Sequence, residues 1–261
     1  MWETLLVNPF MNFLLLIYKL VGGNFGIAII LFTIIIRVIT HPLMASQIKS
    51  STRMQEMQGS KEWLDIQKKF KGDKEKLAQE QMRIYKEKGI SPFASCLPSF
   101  IQLPILFAVY QSIVRALAAS PSQLLILSNA VYPFFKLADI VPINSKFLWM
   151  NLGQPERIYI AGLGIPLLAI LAAVTTYIQS KTTVPVSANP NDQSAMMSKM
   201  MALYMPLLMA WITYSLASGL AVYIIVGNLL GIAQYAMLGK VNWKALIPGS
   251  KPAITTTGKK S

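Results

Sequence analysis

The chain has 261 residues, of which 54% are hydrophobic and only 13% charged, with a mean hydropathy of +0.47 and a formal net charge of +13. This is far more apolar than an ordinary soluble domain, in which about a quarter of residues are charged, and it places the chain among membrane proteins. A single cysteine, Cys96, and a single histidine, His41, exclude a disulfide framework, a multi-cysteine metal site and most histidine-based catalysis.

The first 23 residues hold an early acidic residue, Glu3, lack a basic leader and show no small-x-small cleavage site, so they are not expected to form a removed signal peptide. Within them, "NPFMNFLLLIYKL" is too short to span a bilayer, and segment 1–23 is read as an interfacial N-terminal helix. Apolar runs long enough to cross about 30 Å of hydrocarbon follow at five places, near 24–45, 92–117, 157–179, 197–215 and 219–239. The expected fold is all-α: a polytopic membrane protein with five transmembrane helices.

Segment 46–91, between the first two spans, is polar, rich in helix formers and of mixed charge. Gly72-Asp73 breaks it, the glycine suiting a helix end and Asp73 the next N-cap. It is expected to be a cytoplasmic helical hairpin whose thin apolar seam comes from Met54, Met57 and Leu64 on one arm and Leu77, Ile84 and Tyr85 on the other. Spans two to five occupy 92–239, with an outer loop 118–156 whose "YPFF" and "FLWM" suit the aromatic belt. "VPVSANPND" (184–192) reads as an inside linker, and 240–261 as a basic cytoplasmic tail.

Orientation follows from the cations. Eighteen of the 24 lysines and arginines fall in 47–90, at Lys181 and Lys199, and in 240–261, against five on the opposite side: Lys19, Arg115, Lys136, Lys146 and Arg157. The N-terminus is therefore expected outside and the C-terminus in the cytoplasm.

The remaining cation, Arg37, stands inside the first span. A guanidinium cannot shed its charge, and an intramembrane arginine costs from about 3 to over 10 kcal/mol, depending on the water it recruits. No acidic residue lies within the five spans proper, Glu156 standing at the outer edge. On a helix, Thr33, Arg37 and Thr40 fall on one face with Gly26, a polar stripe that implies a water-filled cavity and a counter-charge brought from elsewhere, such as a visiting acidic segment. Snorkelling toward the inner boundary is the simpler account, since Met44 is seven residues away. Gln102, between Pro98 and Pro104, adds a polar group to the second span, and Tyr223, Asn228 and Gln234 add three to the last. Gly227 and Gly231 form a lone GxxxG. No paired acids, metal-ligand cluster or oriented nucleophile is found, so no catalytic or metal site and no enzyme activity is expected.

Several motifs taken together resemble the YidC-type membrane protein insertases, a family that includes the mitochondrial and chloroplast inner-membrane insertases. They are "GIAIILFTIIIRVITHPL" (26–43), the hairpin from "MQEMQ" to "SPFASCLP" (54–98), "FIQLPILFAVY" (100–110), "LAAVTTYIQSK" (171–181), "KMMALYMPLLM" (199–209) and "GLAVYIIVGNLLGIAQ" (219–234). The likeness is to the short five-span form. It implies a bacterial inner-membrane protein that inserts and helps fold integral membrane proteins through a hydrophilic groove open to the cytoplasm and to lipid. Arg37 matches the arginine at the groove's centre, Thr33 the threonine one turn before it, Gln102 the second-span glutamine and Tyr223 the first of the last-span aromatic pair. The second aromatic is replaced by Ile224, and the hairpin has "GSKEW" where a proline often follows "MQ", so its first arm is expected to be straighter. The implied partners are nascent membrane proteins, the ribosome and membrane lipids, with the Sec translocon and targeting factors as further candidates. No cofactor is implied. An anion or solute transporter using Arg37 is the alternative; polar residues are scarce in the third and fourth spans, and no inverted repeat is evident.

The tail from 240 carries five lysines and no acid, which suits phosphate contacts to a translating ribosome. Truncation after Lys240 should lower cosedimentation with ribosomes at low salt; an unchanged yield would exclude the contact.

Overall fold

The computed structural model describes residues 1–70, 72–90, 97–118, 120–133, 135–136, 138, 140–160, 162–183, 193–239 and 241. Cys96, the linker 184–192, Lys240 and the tail from 242 onward lie outside the described residues. The chain is mostly helical. A π-helical turn, Glu3–Val7, leads into α1 (Asn8–Leu20), followed by α2 (Phe25–Gln58), α3 (Lys61–Lys69), α4 (Lys74–Glu87), α5 (Leu97–Leu117), α6 (Pro121–Ala130), α7 (Leu167–Thr183), α8 (Gln193–Ser215) and α9 (Ser218–Met237). Between α6 and α7 lie two antiparallel two-stranded hairpins, β1 (Lys146–Phe147) with β2 (Met150–Asn151), and β3 (Ile158–Ile160) with β4 (Leu163–Ile165). These small strands are the departure from an all-α fold. Among the described residues, α2 and α9 are each long and apolar enough to cross a bilayer alone.

Three boundaries differ from those read in the sequence. The first helix does not stop near residue 45 but continues through Pro42 to Gln58. A proline removes one backbone hydrogen bond and crowds the preceding turn, and the strong helix formers after it carry the helix on. The hairpin arm then breaks at Gly59-Ser60 instead of running straighter, because Ser60 caps α3 by accepting from the Trp63 N–H at 3.4 Å. The third apolar run, expected from 157, opens as the β3–β4 hairpin, turning at Gly162 with φ +82°, so α7 starts only at Leu167. Its 17 residues reach about 25 Å at 1.5 Å per residue.

The chain divides into two compact units. One comprises Met1–Thr40, Ile101–Tyr177 and Met205–Gly231, and the other the stretches between and after these. In the first, α1 packs its apolar side into the core through Met11, Leu14 and Leu15, against Phe25, Ile29 and Phe32 of α2, Val109 and Ile113 of α5, and Leu220 and Ala221 of α9. The N-terminal segment is thus a helix, but its apolar side is covered by protein. Phe32 receives the rings of Phe10 and Phe13 at centroid distances of 5.6 and 5.8 Å. Polar ties reinforce this packing: Ser112 Oγ donates to the Val7 carbonyl at 3.0 Å, and Asn12 bridges the Ala130 carbonyl and the Tyr132 N–H at 2.9 and 2.8 Å. Arg115 pairs with Glu3. Ile224 is buried in this same core.

The segment before α7 is tied down by hydrogen bonds. Glu156 is 8% exposed and accepts from the Leu168 N–H at 3.1 Å and from Trp149 Nε1 at 3.0 Å, placing an anion on the first turn of α7. The start of α9 is held by three bonds: Ser218 Oγ donates to the Asn151 carbonyl at 2.8 Å, and the N–H groups of Ser218 and Gly219 donate to the carbonyls of Gln154 and Leu152 at 2.9 and 3.0 Å. Phe147, read as part of an interfacial aromatic run, lies over Gly26 of α2.

In the second unit, Asp73 caps α4 by accepting from the Lys76 N–H at 3.1 Å. The start of α3 meets the end of α4: Lys88 pairs with Glu62 at 2.8 Å, and the Trp63 and Tyr85 rings meet edge to face at 5.4 Å. The seam centres on Trp63, 1% exposed, with Met57 and Ile84. Trp63 was absent from the expected seam, and Leu64 and Leu77 are only half-buried.

A Cβ at Gly26 would fall 2.1 Å from Cγ of Phe147. Gly26→Ala should therefore displace that ring and cost about 1–3 kcal/mol, as overpacking does. Detergent melting curves should show the loss, and Phe147→Ala added to Gly26→Ala should recover part of it.

Candidate functional site

Four residues were expected to line a groove, and the structure brings three of them together. Arg37 sits two-thirds of the way along the apolar part of α2 and is half-buried. Tyr223, 5% exposed on α9, is its electrostatic neighbour. Gln102, in the second turn of α5, donates from Nε2 to the Tyr223 hydroxyl at 3.4 Å. Three helices thus each present one polar group to the same place, in a unit that has a large apolar core.

Thr33 is packed inside the unit. It is 1% exposed, and its hydroxyl donates to the Ile29 carbonyl one turn back at 2.7 Å. Thr40 does the same toward Ile36 at 2.8 Å. Such back-bonding is how hydroxyls are satisfied in apolar surroundings. The polar stripe of α2 therefore reduces largely to Arg37, since Gly26 is covered by Phe147.

Sequence reading noted Gly227 only as part of a GxxxG, yet it belongs to this site. It stands one turn after Tyr223, so the two share a face of α9, and the Arg37 guanidinium lies against it. The signal available in the sequence was this spacing of four. Asn228, next to it, points to another helix: its Nδ2 donates to Thr175 Oγ1 at 3.1 Å and to Thr176 Oγ1 at 2.8 Å on α7. That contact ties α9 to α7 and leaves the other face of α9 to Arg37.

The arrangement offers a fixed positive charge, a phenol and an amide at one spot. It is suited to attracting an anion and holding it by hydrogen bonds.

Residues 16–244 match the family described as 60Kd inner membrane protein. The chain belongs to the YidC family of membrane protein insertases. It is 33% identical over 241 residues to membrane protein insertase YidC 2 of Bacillus anthracis, covering 91% of this chain and 80% of that protein. It is also 33% identical over 235 residues to membrane protein insertase MisCA of Bacillus subtilis, covering 89% and 77%. Among solved structures, an active YidC insertase crystal structure with the first transmembrane domain resolved superposes with a TM-score of 0.56 at 22% identity, covering 91% of this chain and 46% of that one. The chain therefore spans about half the length of that structure, whose likeness concerns the fold. With relatives named as YidC-type insertases, the transporter alternative is not favoured.

Proposed function

We propose that this protein inserts and helps fold integral membrane proteins through a hydrophilic groove centred on Arg37, with Tyr223 and Gln102 beside it and Thr33 packed one turn away. The observation that carries the reading is the half-buried guanidinium of α2 set against α9 and the Tyr223–Gln102 pair, in a unit that has a large apolar core. Five spans, formed on α2, α5, α7, α8 and α9, place the N-terminus outside and the C-terminus in the cytoplasm of a bacterial inner membrane. A substrate's short acidic segment enters from the cytoplasm and is attracted by Arg37 in a setting less screened than bulk water. Its apolar helix moves along the lipid-open side, and partition into hydrocarbon drives completion. A membrane potential positive outside assists the acidic segment by about 2.3 kcal/mol per charge per 100 mV. No cofactor takes part.

Segment 46–91, with α3 and α4, serves as a cytoplasmic platform that receives substrates and targeting factors, and the ribosome and Sec translocon are further partners. Deleting 54–86 should leave the spans folded but cripple insertion; normal insertion by a stably expressed deletion would remove the platform role.

The central test crosses Arg37 variants with substrates bearing acidic or neutral outer tails, in liposomes containing the purified protein. Arg37→Lys should retain much activity, whereas Arg37→Ala and Arg37→Glu should lose it, most for acidic tails. Neutralising the tail should reduce the dependence on residue 37, because the attraction is mutual. Equal insertion by the unmodified protein and Arg37→Ala with both tails would reject the electrostatic groove in favour of snorkelling.

A further inference from the structure

Glycine is a poor helix former, so a glycine in the middle of α9 calls for a local reason. A Cβ built at Gly227 would lie 3.2 Å from Nη2 of Arg37, 3.8 Å from Nε and 4.0 Å from Cζ. The guanidinium thus occupies the space that a side chain at 227 would fill. Gly219, the other tightly packed glycine of α9, differs in kind: its built Cβ meets Ile113, Ile29 and the Leu152 carbonyl, which is ordinary close packing. At Gly227 the neighbour is the charged end of a residue from another helix.

We propose that Gly227 is a positioning residue for insertion, forming a flat slot on α9 that fixes the depth and tilt of the Arg37 guanidinium. The assignment rests on the reading that Arg37 attracts acidic substrate segments. The guanidinium is rigid and planar, and Nη2 at 3.2 Å is closer than ordinary contact, while Nε and Cζ at 3.8 and 4.0 Å are not. An alanine is therefore accommodated by moving Nη2 a few tenths of an ångström, which in a rigid group tilts the plane. Tilting re-aims the N–H donors, and hydrogen bonds weaken steeply as their angle closes. The charge itself remains, so the effect appears in how well an acidic segment is held, not in whether the cavity carries a cation. Lysine, a point charge on a flexible stem, has no plane to be seated and does not need the slot.

These differences define a double-mutant cycle in liposomes, using the full-length protein with Gly227→Ala, Arg37→Lys and both together, each against acidic-tailed and neutral-tailed single-spanning substrates. Gly227→Ala should reduce acidic-tail insertion by about three- to tenfold and neutral-tail insertion by less than about twofold, and should add less than about twofold in the Arg37→Lys background, the non-additivity expected of residues in contact. An equal loss for both tails, or an equal loss in both backgrounds, would mark Gly227 as a helix-packing residue only and overturn the proposal; general unfolding gives that same result. A harmless Gly227→Ala alongside an inactive Arg37→Ala would overturn the slot while leaving the functional reading intact. A harmless Arg37→Ala would remove both.

Discussion

The structure is organised around a charge that cannot be neutralised. A buried lysine or carboxylate can escape low dielectric by changing its protonation state, but a guanidinium cannot, so the helices around Arg37 must accommodate a permanent cation. Part of that accommodation is geometric. Thr33 and Thr40 are turned onto their own helix backbone and do little to solvate it. Instead α9 leaves a glycine where the guanidinium lies and places a phenol one turn away, which α5 engages through Gln102. Arg37 remains partly exposed, as the proposed attraction of an acidic segment requires.

The placement of Arg37 beside Tyr223 and Gly227 depends on the register of α9 with α2, and the segment before α7 supplies that registration. The three bonds from Ser218 and Gly219 to the 151–154 segment fix where α9 begins; Tyr223 and Gly227 then fall at set turns beyond it. Asn228 fixes the rotation of α9 by bonding to Thr175 and Thr176, and Glu156 secures the first turn of the helix that carries those threonines. A slip of one residue along α9 would turn its face by about 100° and separate Arg37 from both Tyr223 and Gly227. The loop chemistry at one end thus determines the electrostatics several turns away.

Much of this was legible in the sequence because it broke a local pattern. An arginine within "LFTIIIRVIT" and a glutamine between two prolines are conspicuous in apolar runs, and Asp73 announces a cap by residue type. What was not legible depended on contacts between distant segments. Gly227 looks like any helical glycine until α2 is placed against it, 190 positions away in the chain. The run from 157 reads as an apolar helix by composition, yet Gly162 takes a left-handed turn and makes a strand hairpin, so apolarity alone misplaced the start of α7 by ten residues. The π-turn and α1 have the length of an interfacial helix, but their burial depends on Ser112, Ala130 and Tyr132, more than one hundred positions away. Trp63 joins Met57, Ile84 and Tyr85 of the expected seam only because the break at Gly59-Ser60 turns α3 so that its ring meets Tyr85.

The two units also differ in what holds them. The one that carries Arg37 is stitched by a large continuous apolar core and by hydrogen bonds that cross long stretches of sequence, such as Asn144 N–H to the Tyr18 hydroxyl at 3.0 Å. In the other, the α3–α4 pair rests on a small cluster around Trp63 and on the exposed Lys88–Glu62 ion pair. Exposed pairs contribute about 0–1 kcal/mol each, so this pair should open at a lower free energy than the helices around the arginine. The proposed function is served by this division of stiffness. A charge proposed to attract substrate must stay in place through each cycle, whereas a surface proposed to meet varied substrates first gains from being easily rearranged. Rigidity at Arg37 and looseness at α3–α4 follow from core size and hydrogen-bond range, with no further device needed.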